Sequence, residues 1–76
     1  MSCPFVPGKF YTVHNTDFDE MIFIVEILPG YSAGYCVNYI KQGEDTVRYG
    51  RISLSSIDDN FWTDTETGKV VTRSAG

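Results

Sequence analysis

The chain has little of what most protein chemistry requires. It holds one histidine and two cysteines in 76 residues, with no CxxC or HxxxH spacing, so neither a zinc site nor a disulfide framework built on Cys3 and Cys36 is expected. No GxxxxGK or GxGxxG segment is present, which removes the glycine-rich phosphate cradles and leaves no cofactor to expect. His14 has serines to choose from in Ser53, Ser55 and Ser56, but there is no nucleophile elbow and no glycine-rich oxyanion segment beside them. Asp58 and Asp59 are adjacent, so their side chains diverge in a strand or a helical turn and make a poor acid/base pair. A non-enzymatic protein is the expectation.

Long apolar runs are missing too. The longest, Met21 to Val25, falls far short of the roughly 20 residues that span a bilayer. The opening Met-Ser-Cys-Pro-Phe-Val-Pro-Gly lacks the basic and apolar regions of a signal peptide, so a cytoplasmic setting without a membrane role is expected. Cations are outnumbered, six Lys and Arg against ten Asp and Glu, giving a net charge of −4. That balance disfavours phosphate-backbone binding, where basic patches dominate affinity.

One spacing deserves weighing against this poverty. Asn15, Asp17, Asp19 and Glu26 occupy positions 1, 3, 5 and 12 of a calcium loop, but Glu20 stands where the sharp turn wants glycine, and strands rather than helices flank it. A solvated acidic turn is the simpler reading.

Apolar side chains are what the chain does have: 42% hydrophobic residues and 14% aromatic, enough for one packed domain over 1–76, with an N-terminal arm at 1–8 and a frayed end at 74–76. Period-2 and β-branched segments predict strands at 9–14, 21–28, 35–40 and from 46 to about 54, separated by polar or glycine-bounded turns. In the fourth strand Val47 and Tyr49 sit out of phase with Ile52 and Leu54, so a β-bulge is expected at Gly50-Arg51. Ser55 or Ser56 is expected to cap a short helical turn near 56–60, and residues 61–65 and 69–72 to form a hairpin around Glu66-Thr67-Gly68.

Five or six short strands with one helical turn ahead of the last ones predict an all-β fold, a small barrel or half-barrel. In this order of elements the chain resembles SH3-like barrels, the group that includes Tudor modules. The resemblance implies a small curled sheet and carries no function with it.

In strand two both parities are apolar, Met21, Phe23, Val25 and Ile27 on one and Ile22, Ile24 and Leu28 on the other, apart from Glu26. A half-exposed strand should alternate, so one face is expected either to be covered from within or to meet a partner. The aromatics exceed what a tiny core can enclose, and Tyr31, on a glycine-bounded loop, and Trp62 are candidates for contact. Arg48, Tyr49 and Arg51 form the one basic and aromatic cluster, which a bulge at Gly50 would aim outward as an anion site. The expected binding residues are therefore Tyr31, Ile22, Ile24, Arg48, Tyr49, Arg51 and Trp62.

The expected function is protein binding or self-association by a stand-alone regulator or inhibitor, of the kind encoded by phages and mobile elements and acting in the host cytoplasm. The alternative is single-stranded nucleic-acid binding, with aromatics stacking on bases and Arg48 and Arg51 on the backbone.

Overall fold

The computed structural model describes residues 3–15 and 17–73. The expected frayed end at 74–76 and the first two residues of the arm lie outside the described residues. The five strands are β1 (Phe10–His14), β2 (Asp19–Leu28), β3 (Gly34–Lys41), β4 (Arg48–Ser53) and β5 (Trp62–Asp64), with the helix α1 (Leu54–Asp58) between the last two. They form one antiparallel sheet in the order β4-β3-β2-β1-β5. The fold is all-β as expected, and it is an open sheet: β4 and β5 are its two edges and do not pair. The hairpin expected at 61–72 shrinks to β5 and a single bridge, Thr63↔Val70.

The bulge lies in β2, not β4. Pairing runs from Ile24↔Tyr39 directly to Glu26↔Asn38, leaving Val25 without a partner. An extra residue inverts the side-chain phase. Ile22 and Ile24 face the core before it, and Ile27 packs on the core after it. This accounts for part of the doubled apolar character of β2.

β4 keeps one continuous register with β3, Gly50 pairing with Val37. Its apparent change of parity arises because Val47 and Tyr49 point to solvent, 52% and 60% exposed. Gly50 takes the core-facing position under the ring of Tyr39, whose Cε1 would lie 2.7 Å from an added Cβ. Ser53 caps α1 two residues earlier than expected, its hydroxyl accepting from the Ser56 N–H at 3.2 Å. Ser55 already lies within the first turn, where it has no free amide to receive.

Phe5, Tyr11, Ile22, Ile24, Val37, Ile52, Ile57, Trp62 and Val71 make the core on one face of the sheet. Each such side chain fully buried is worth about 1.5–3 kcal/mol. Phe5 comes from the N-terminal arm and meets Tyr11 and Trp62 edge-on, with ring centroids 4.8 and 5.3 Å away. The arm is fastened by the Val6 N–H donating to the Tyr11 hydroxyl (2.8 Å) and the Gly8 N–H donating to the Ile24 carbonyl (2.8 Å). Among the described residues, no helix is long and apolar enough to cross a membrane.

Candidate functional site: the outer face and the β4 edge

The face of the sheet opposite the core carries an apolar row. Register sets Phe10 of β1 beside Phe23 of β2, and Phe23 beside Ile40 of β3. The Phe10 and Phe23 rings are 4.9 Å apart at a 58° tilt. Met21 adjoins the row, and a shallow groove of about 390 Å³ runs along Phe10, Met21, Phe23 and Ile40 to the turn at 41–44. Phe10 is 47% exposed. These side chains follow from the parity of β1: with Tyr11 and Val13 on the core, Phe10 must face outward.

Farther along the same face lies a polar aromatic cluster. The Arg51 guanidinium stands 5.0 Å over the ring of Tyr31, a cation-π geometry. It also lies close to the Tyr49 hydroxyl and the Cys36 thiol, which together hold its pKa above the ordinary value. Among the described residues Arg51 has no carboxylate within salt-bridge distance, whereas Lys9 pairs with Asp64, Lys41 with Glu20, Arg48 with Glu44 and Arg73 with Asp58.

Arg48 does not join Arg51. The two differ by three in a regular strand and so face opposite sides. The Arg48 guanidinium is held by both oxygens of Glu44, at 2.7 and 3.0 Å, which lowers the Glu44 pKa below its usual value. The anion site expected from the pair is not assembled. Of the other expected contact residues, Ile22 and Ile24 are core side chains, 4% and 0% exposed, and Trp62 is 7% exposed with its indole N–H donating to the Ser56 hydroxyl at 3.1 Å. Ile24 therefore has no surface to offer a partner, and Ile22 and Trp62 offer only what they show inside the cleft between the two sheet edges. Tyr31, Tyr49 and Arg51 are brought together, and the sequence reading missed Phe10, Phe23, Met21 and Ile40. Their signal is present in the parity of β2 that holds Met21 and Phe23, but placing Phe10 and Ile40 beside it needs the strand register.

The register also gathers Asp19, His14 and Thr63. Asp19 Oδ1 lies 2.9 Å from His14 Nδ1, and His14 Nε2 lies 2.8 Å from the Thr63 hydroxyl. This order of groups resembles a hydrolytic triad. A threonine of β5 stands where the sequence offered Ser53, Ser55 and Ser56, and the His14–Asp19 contact is exposed. Asp19 and Glu26, both drawn into the calcium spacing, are engaged separately, Asp19 with His14 and Glu26 with Asn38. Among the described residues no group of three His, Cys, Asp or Glu is placed to hold a metal ion. Both cysteines are free: Cys3 packs on the core, and Cys36 lies on the opposite face of β3.

Comparison with protein-family models, with curated proteins and with solved structures finds no match to this chain.

Proposed function

We propose that this chain is a small, non-enzymatic protein-binding module that regulates or inhibits a larger protein, with the outer face of its sheet as the contact surface. The observation that carries this reading is the apolar row Phe10–Phe23–Ile40 with Met21, lying on the face that the core does not use. A chain this small needs its large apolar groups for its own core, and an apolar band left outside is the common mark of a contact surface. Tyr31, Tyr49 and Arg51 on the same face supply the residue types that dominate binding energy at interfaces.

The sheet order, with a helical turn ahead of the last strand, supports grouping the domain with SH3-like folds, and the net charge of −4 suits a partner with a basic rim. A cytoplasmic regulator of phage or mobile-element type remains the setting that this size and composition fit. Single-stranded nucleic acid draws no support from Arg48, which Glu44 neutralises.

Affinity capture with the wild type and with the double variant Phe10→Ser/Ile40→Ser tests the reading. A partner recovered by the wild type and lost with the folded variant is expected. Equal recovery by both, or salt-dependent binding of a labelled oligonucleotide as the only interaction, would overturn it. Sedimentation at high concentration identifies the case in which the partner is a second copy.

A further inference from the structure

We infer that the partner contributes an extended segment of apolar–acidic–apolar pattern, which adds to β4 as a sixth strand with its carboxylate on Arg51. This rests on the protein-binding reading but uses a different surface from the apolar row.

Three features converge at β4. The first is its backbone. The Leu54 N–H donates to the Ala33 carbonyl at 2.9 Å, so Ala33 and Leu54 face each other as a hydrogen-bonded pair. Antiparallel pairs alternate, which makes Tyr35↔Ile52 and Val37↔Gly50 bonded pairs as well. The Gln42 N–H donating to the Met21 carbonyl fixes the same phase from the β2 side. Tyr49 and Arg51 must therefore point their N–H and C=O groups away from β3. Among the described residues no backbone hydrogen bond reaches them from that side. The opposite edge is covered, the Asp64 N–H donating to the Lys69 carbonyl and the Val71 N–H to the Trp62 carbonyl.

The second feature is a cleft of about 280 Å³ between the two edges. Gly50 and Ile52 line one side, Val13 and Trp62 the other, and Ile22 and Val37 the floor, while Asn15 and Glu20 add polar groups to the lining. A strand laid antiparallel on β4 sends the residues opposite Gly50 and Ile52 toward this cleft, so both should be apolar. The third is Arg51 itself, held over Tyr31 without a carboxylate in a chain of net charge −4. The residue opposite Arg51 falls between those two apolar positions and projects on the outer face beside the guanidinium. Cross-strand neighbours of opposite charge attract and like charges repel.

Strand addition draws affinity from the main chain and specificity from alternate side chains, and here the charge at Arg51 rejects basic segments while admitting acidic ones. Charge also disfavours a second copy as the occupant, because β4 paired with its own two-fold mate would set two Arg51 guanidiniums diagonally across one ladder.

The test is a titration of the isotope-labelled full chain with the capped peptide acetyl-Thr-Val-Glu-Val-Thr-amide, followed by NMR. Saturable shifts are expected at the Tyr49 and Arg51 amides and the Trp62 indole N–H. Replacing the peptide glutamate with glutamine or lysine, or making Arg51→Gln in the protein, should weaken binding at least about tenfold, as loss of a charge-assisted contact does. Tyr49→Pro removes an outward N–H at an edge position where proline is tolerated and should abolish binding. If that variant does not fold, Arg51→Gln decides alone. No saturable shift at the β4 edge, or equal affinity for the lysine peptide, overturns the inference. Shifts confined to Phe10, Met21, Phe23 and Ile40 overturn it while leaving the outer-face reading intact.

Discussion

Phe23 and Ile24 are neighbours in β2, and the sheet sends them opposite ways. Ile24 is fully buried among Phe5, Tyr11 and the other core side chains, while Phe23 lies half-buried against Phe10 on the opposite face. The core face is closed by the arm, by α1 and by Val71; the outer face buries Cys36 but leaves its apolar row half-buried, with Phe10 47% exposed. The two faces therefore hold apolar side chains for different reasons. Burial on the core face offsets the chain entropy that a domain of this size can barely meet. The outer row is expected to contribute less to folding, and the proposed function assigns it to contact.

The contrast predicts a graded series of effects. Ile24→Ala should cost about 2–5 kcal/mol, because it opens a cavity where relaxation is limited, and should lower the urea midpoint with an unchanged slope. A loss below about 1 kcal/mol would mean that the core face is loosely packed and the contrast false. Tyr11 sharpens the same point through pH. Desolvation raises its pKa above 10.0 in the folded state, so its contribution is complete below pH 10.0 and is lost as pH rises through the folded value. Stability should accordingly decline above about pH 10, and Tyr11→Phe should flatten that decline.

Phe10→Ser, on the other face, loses its pairing with Phe23 and should cost no more than about 1.5 kcal/mol. A cost equal to that of Ile24→Ala would make the outer row a second core. Arg51→Gln should be the mildest, within about 0.5 kcal/mol by the same denaturation measurement, since no ion pair in the described chain depends on it.

The strands were legible because β-branched runs between polar or glycine-bounded turns signal them locally, and the helical turn because serines precede Ile57. What escaped the sequence was phase. Val47 and Tyr49 look like core residues until β4 is paired with β3, and only then does Gly50 prove to be the core-facing position beneath Tyr39. Both parities of β2 are apolar, so the sequence does not say which of them the bulge at Val25 returns to the core. Without that phase, Ile22 and Ile24 look as available for contact as Phe23, and pairing alone shows that they are core. Arg48 and Arg51 seemed close in sequence, yet a strand places them on opposite faces once the bulge between them is removed. Asp19, His14 and Thr63 come from three strands, and no local pattern joins them.

The most direct test of the contrast follows the methyl resonances of Met21, Ile40, Ile24 and Ile57 while a captured partner is added. Met21 and Ile40 should shift or broaden as the complex forms, with Ile24 and Ile57 changing little. Changes confined to Ile24 and Ile57, with Met21 and Ile40 unmoved, would contradict the assignment of the outer face to binding.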